Sequence, residues 1–226
     1  MAGCCNHDAQ FDGVSREYKR RLWAVIAINA AMFFVEMAAG QAANSQALKA
    51  DALDFLGDAL TYGISLAVIG ASLRTRSMAA IGKGVSLLLM GSWVLGSTVW
   101  KVFVVGVPEA QVMGYIGFMA LAANLLSVAL LAAYKDGDAN VRSVWLCSRN
   151  DAVGNVAVMI AALGVWGTAT GWPDLIVAGI MAGLFLSSAV QILRQALAEW
   201  RGDKSPSGGH THDQGQAAED GHTHAH

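Results

Sequence analysis

The twelve residues 49–60, KADALDFLGDAL, decide both the fold and the chemistry of this chain. They lie inside an apolar run long enough for a membrane-spanning helix, yet they contain Asp51, Asp54 and Asp58. At about 100° per residue, these three carboxylates fall within a stripe about 60° wide on one helix face. Because one carboxylate at mid-bilayer costs about 2.5–3.5 kcal/mol even on lenient insertion scales, three of them predict a cation site. The alternative is three packing aspartates bonded to neighbouring hydroxyl groups.

The composition places most of the chain in lipid. Hydrophobic residues make up 54% of the sequence and charged residues only 14%. All six histidines lie near the two ends, and neither a glycine-rich phosphate loop nor a basic surface interleaved with aromatic residues is present. We therefore expect no enzyme activity, no nucleic-acid partner and no resident cofactor.

Six apolar segments are each long enough to cross a bilayer, which takes about 20 residues. They cover about residues 22–40, 45–73, 85–106, 112–134, 143–166 and 173–200. The sequence thus predicts an all-α membrane protein with six transmembrane helices in residues 22–200. Residues 1–21 form an N-terminal segment, and the polar, histidine-rich residues 201–226 are expected to be disordered. Arg74 and Arg76 are expected to close the second span.

The distribution of basic residues predicts the orientation. The three short loops at about residues 41–44, 106–111 and 168–173 contain no Lys or Arg. The segments at the other end of the spans hold nearly all of them. By the positive-inside rule, both termini are expected in the cytoplasm.

The fifth span supplies a second polar face. Cys147, Asp151 and Asn155 are each one helical turn apart and share that face, whereas Arg149 and Asn150 are expected to point elsewhere.

The two polar faces are expected to meet near the membrane midplane. At 1.5 Å per residue, Asp54 and Asp58 lie about 13–20 Å from the outer helix end, and Asp151 lies about 22 Å from it. Two i,i+4 pairs on facing helices are a sound cage for a tetrahedral metal ion. We expect Asp51 to rank below these residues because it lies nearer the outer end, and we keep it as a possible additional ligand.

The terminal segments contain further metal-binding residue types. We predict auxiliary metal capture there, since neutral imidazole and thiolate groups bind borderline metals such as zinc. The alternatives are a solvated tail without function and, for the histidines, a purification tag. The candidates are Cys4, Cys5, His7, His210, His212, His222, His224 and His226. The adjacent Cys4 and Cys5 form no disulfide framework and favour a reducing compartment.

Four sequence stretches resemble the cation diffusion facilitators, a family of six-helix exporters of divalent metals. They are residues 34–40 (FVEMAAG), 50–58 (ADALDFLGD), 150–155 (NDAVGN) and 172–174 (WPD). The second helix of the family carries a His- or Asp-x-x-x-Asp pair, which Asp54 and Asp58 match. Its fifth helix usually carries His-x-x-x-Asp, where Asp151 matches and Cys147 stands in place of histidine.

The resemblance implies export of divalent cations from the cytoplasm by proton antiport and alternating access, in a homodimer in a bacterial inner membrane. It also implies a short form, because members usually continue into a soluble cytoplasmic domain. A Cys147 thiolate would favour zinc and cadmium over harder ions, but a small thiol packed between helices is the alternative. The fourth ligand stays open between Cys147, Asn155, water and another helix.

Two other functions fit the same carboxylates. One is a membrane sensor or buffer that binds metal without moving it. The other is a proton-coupled carrier of a different cation.

Overall fold

A computed structural model describes residues 15–67, 73–104, 106–134 and 139–202, in which the backbone forms six long helices. They are α1 (Arg16–Ala42), α2 (Gln46–Ala67), α3 (Leu73–Phe103), α4 (Ala110–Leu131), α5 (Ala139–Thr168) and α6 (Trp172–Gly202). A short 3₁₀ turn, Ala132–Tyr134, follows α4. No strand occurs in these residues, so the expected all-helical class is confirmed for them.

Five of the described helices are long and apolar enough to cross a membrane, and α2 is not among them. The reason is local, since Lys49 and three aspartates interrupt the apolar character of its 22 residues. The expectation of six spans is thus supported for five helices and stays a prediction for α2. Residues 46–53 of α2 are all buried, and the helix contacts α1, α3, α5 and α6. The charged groups in this stretch therefore lie inside the bundle and not against lipid.

The boundary between the second and third spans differs from the expected one. Leu73, Arg74 and Arg76 were expected at the end of the second span, but α3 already begins at Leu73. Residues 74–77 are polar and form the part of α3 that precedes the apolar run beginning at Met78. The prediction from apolar length, which began the third span at about residue 85, therefore placed the start of this helix too late.

A tight turn at Ala43–Ser45 joins the end of α1 to the start of α2. Asn44 adopts the left-handed backbone conformation with φ 59°, which short polar residues tolerate best after glycine. A Cβ on Gly40 would lie 3.0 Å from Lys49 Cγ, so α1 packs closely on the first turn of α2. The backbone N–H of Glu109 donates to Ala43 O at 3.0 Å and ties the loop before α4 to this turn.

Apolar side chains fill the half of the bundle that contains this turn. This outer apolar cluster joins residues of α2, α3, α4, α5 and α6 and includes Leu48, Val94, Met113, Val165 and Phe185. A smaller cluster around Tyr18, Leu22 and Tyr62 packs at the opposite end. The polar groups of the second and fifth spans therefore lie between two apolar layers.

Candidate metal centre

Asp54, Asp58 and Asp151 line one cavity of about 400 Å³ between α2, α3, α5 and α6. Asp54 and Asp58 are one turn apart on α2, and the packing of α2 against α5 brings Asp151 to the same space. The carboxyl group of Asp151 lies within hydrogen-bonding reach of both partners on α2. The structure thus brings together the three carboxylates that the sequence analysis selected from two separate helices.

Two further side chains complete the surroundings of Asp58. The Tyr62 hydroxyl donates to Asp58 Oδ2, and Tyr62 Oη lies 3.5 Å from Ser148 Oγ. Lys83 from α3 lines the same cavity and exerts an electrostatic influence on Asp58. The sequence analysis missed both roles, although the i,i+4 spacing of Asp58 and Tyr62 was a usable signal for the first.

The three carboxyl groups are neighbours, but they do not enclose an ion in this conformation. Among the described side chains, no three His, Cys, Asp or Glu groups are arranged so that they could hold a metal. Cys147 lies in α5, but its side chain is outside the described part of the structure. The arrangement therefore offers a concentration of negative charge in a cavity rather than a finished coordination shell.

Asp51 does not line the cavity but turns toward α1. Its carboxyl group is close enough to Glu36 for the two to interact electrostatically, and both residues are buried. Glu36 and Asn29 of α1 are buried in the bundle, with exposed fractions of 0% and 1%. Neither carboxylate oxygen of Glu36 has a hydrogen-bond donor among the described residues. Glu36 and Asp51 thus form a second acidic pair, separate from the cavity.

On α5, the positions of two asparagines relative to the cavity differ from those expected. Asn155, a possible fourth ligand, is fully buried and absent from the cavity lining. Asn150 was expected to point elsewhere, yet it is exposed and lines the cavity beside Asp151. The expectation was wrong because the cavity contacts more than one row of α5 side chains, namely Asn150 as well as Asp151 and Gly154.

The predicted metal-capturing residues near the two ends lie outside the described residues. This holds for Cys4, Cys5, His7, His210, His212, His222, His224 and His226. Their role stays a prediction.

The cavity lining extends from the carboxylates toward the end of the bundle where α1 begins. It runs from the level of Asp54 through Thr61, Lys83 and Ile192. Beyond Asp54 in the other direction lies the outer apolar cluster. Among the described residues, apolar side chains therefore lie between the carboxylates and the short loops.

A bundle with five helices long and apolar enough to cross a membrane defines a multi-pass integral membrane protein. Residues 22–199 match the model of the cation efflux transmembrane domain. The chain belongs to this family, the cation diffusion facilitators.

The chain is also similar to three bacterial proteins named zinc transporter ZitB. It is 29% identical to the one from Yersinia pestis over 199 residues, which cover 80% of this chain and 62% of the relative. It is 28% identical over 196 residues to those from Escherichia coli and Shigella flexneri, with the same coverage. The chain thus spans less than two thirds of the length of these relatives. Their bacterial origin agrees with the expected location in an inner membrane.

Proposed function

We propose that this chain exports divalent metal cations, zinc foremost, from the cytoplasm. The observation that carries the proposal is the convergence of Asp54, Asp58 and Asp151 on one cavity. The family membership and the similarity to zinc transporters support it. Three carboxylates suit a dication better than a monovalent ion, since charge in a low-dielectric site must be balanced.

In the proposed cycle, the metal enters from the α1 end while the carboxylates are ionised. Asp54 and Asp58 bind it from α2 and Asp151 binds it from α5. The Tyr62 hydroxyl holds one oxygen of Asp58 and leaves the other for the ion. Cys147, or water, supplies the remaining contact.

The release step needs the outer half of the bundle to open. When the helices repack by alternating access, protons from outside compete for the same carboxylates and displace the metal. Proton antiport follows from this competition, because a group cannot bind a metal and a proton together. We further propose cytoplasmic termini, a homodimer, and cadmium as a second substrate.

Transport in proteoliposomes tests the proposal. We expect zinc to move across the membrane and to drive a counter-flow of protons, measured with a pH-sensitive dye inside the vesicles. Zinc binding without zinc flux would identify a sensor or buffer instead. Flux of another cation that zinc neither drives nor inhibits would identify a different carrier.

A further inference from the structure

Asp174 is a buried carboxylate that the proposed cycle does not use. It lies in the first turn of α6 with an exposed fraction of 1%. A charged side chain in such a position is costly unless donors and positive charge surround it. The hydrogen-bond donors and positive charges around Asp174 therefore indicate its role.

All of the described hydrogen bonds of this carboxylate come from the beginning of α2. Its Oδ2 accepts from Gln46 N at 2.8 Å, and its Oδ1 accepts from Ala47 N at 3.0 Å. Ser45 Oγ donates to Oδ1 at 2.5 Å and in turn accepts from Leu48 N at 3.1 Å. Asp174 and Ser45 together thus satisfy three of the backbone N–H groups that a helix leaves free at its start.

Positive charge completes the balance at this point. Two helix N-termini, those of α2 and α6, bring their positive ends to the same carboxylate. Lys49 and Lys101 also act on it electrostatically. The interaction is thus a capping bond between two helices rather than within one, and it fixes α2 to α6.

The position of α2 decides where its carboxylates lie. Asp54 and Asp58 follow Gln46 by eight and twelve residues, or by about 12 and 18 Å along the helix. A slip of one residue would move both carboxylates by about 1.5 Å and rotate them by about 100°. Since metal sites tolerate only about 0.2 Å in ligand distance, such a slip would destroy the centre.

We infer that Asp174 is a positioning residue for the metal centre: it caps α2 from α6 and fixes the depth and rotation of Asp54 and Asp58. This inference rests on the proposed function. It assigns a role in metal binding to a residue about 12 Å or more, measured along α2, from the carboxylates it serves.

Zinc titration of the purified full-length chain in detergent, by calorimetry, tests the inference. We expect Asp174→Ala to weaken zinc binding by about 10- to 100-fold in the folded fraction, as for other residues that orient metal ligands. Asp174→Asn keeps one acceptor oxygen and should fall between wild type and Asp174→Ala. Ser45→Ala leaves both backbone bonds to Asp174 and should cost less than Asp174→Asn.

The matched control is Ser97→Ala. Ser97 Oγ donates to the side chain of Gln46 at 3.3 Å and to Val94 O, but it does not touch the backbone of α2. The Ser97→Ala variant should bind zinc with the wild-type affinity. If Asp174→Ala does not fold, the series of Asp174→Asn and Ser45→Ala decides the question.

A purely structural role predicts a different result. Asp174→Ala and Asp174→Asn would then lose thermal stability, while the folded fraction kept the wild-type zinc affinity and the wild-type ratio of zinc to cadmium affinity. That outcome overturns the inference. Failure of the wild-type chain to bind zinc would instead contradict the proposed function.

Discussion

At the scale of single residues, the cavity combines three carboxylates with one ammonium group. The charge of Asp54, Asp58 and Asp151 exceeds that of Lys83, so the cavity favours cations. Electrostatic attraction in such a site depends strongly on each charge, because the surrounding helices screen it less than water does. Single substitutions of these charged residues should therefore have large and separable effects on metal binding.

Removing one cavity carboxylate should abolish export. Asp54→Asn, Asp58→Asn and Asp151→Asn keep the side-chain shape but leave the dication with one charged ligand fewer. We expect each to weaken zinc binding more than about 100-fold and to remove zinc tolerance from cells. Asp51→Asn should be milder because Asp51 faces Glu36 outside the cavity.

Growth of cells on zinc, with expression confirmed by blotting, is the measurement. The control is Glu17→Gln, an isosteric change of an exposed carboxylate that pairs with Arg21. Normal zinc resistance with Asp58→Asn or Asp151→Asn would contradict the proposed centre.

Lys83 should weaken metal binding by its charge. A dication and a unit positive charge about 10 Å apart repel each other by about 3.3 kcal/mol at an effective dielectric constant of about 20. We therefore expect Lys83→Gln to bind zinc about 100-fold more tightly and to release it more slowly. Calorimetry and vesicle transport measure the two effects.

Lys83→Arg keeps the charge and serves as the control, with an affinity near that of wild type. Weaker zinc binding in Lys83→Gln would mean that the ammonium group organises the carboxylates instead of competing with the metal.

At the scale of the helices, the cavity wall depends on close packing between α3 and α6. A Cβ on Gly84 would lie 2.7 Å from Leu193 Cγ, and a Cβ on Gly91 would lie 3.0 Å from Phe185 Cβ. Both glycines lie on the same side of α3 as the contact with α6. Their lack of a side chain lets the two helices approach and places Lys83 beside the cavity.

Two neighbouring glycines test this packing. Gly84→Ala should destabilise the fold by about 1–3 kcal/mol, because the new methyl group overlaps Leu193. Gly82→Ala is the matched control, since nothing lies within 4 Å of its added Cβ. Alanine in an open helical position should stabilise by up to about 1 kcal/mol. Thermal unfolding in detergent should show opposite shifts, and equal shifts would contradict the packing.

The sequence predicted the helical class and the meeting of Asp54, Asp58 and Asp151, whose role as metal ligands stays a prediction. Both follow from short-range rules, namely apolar length and the i,i+4 spacing of Asp54 with Asp58. The start of α3 at Leu73 and the placement of Asn150 were not predicted, because they depend on how the helices pack around the cavity. The bond from Asp174 to α2 spans 127–129 residues, and no local pattern announces such a contact.

At the scale of the whole molecule, the two ends of the bundle differ. One end carries the cavity and the basic residues near the start of α1. The other end carries the short loops, the outer apolar cluster and the contact between Asp174 and α2. The proposed orientation places the first end in the cytoplasm.

Single cysteines test this orientation in a background whose three native cysteines are replaced by serine. We expect Val107→Cys and Thr170→Cys, both at exposed positions in the short loops, to react with an impermeant maleimide added outside intact cells. Arg16→Cys, at the exposed start of α1, should react only after the membrane is opened. Reaction of all three from the same side would contradict six spans.

In the proposed cycle, the apolar half of the bundle at the short-loop end limits the rate of export. The outer apolar cluster lies between the carboxylates and the short loops, so each ion crosses by a rearrangement of the helices and not through an open pore. Each ion has to wait for the helices to rearrange, and collective helix motions take microseconds to milliseconds. Export is then bounded at about 10³–10⁶ ions per second per molecule. This mechanism predicts that the flux saturates with rising metal concentration, as enzyme turnover does with substrate, and that export leaves the electrical resistance of the membrane unchanged.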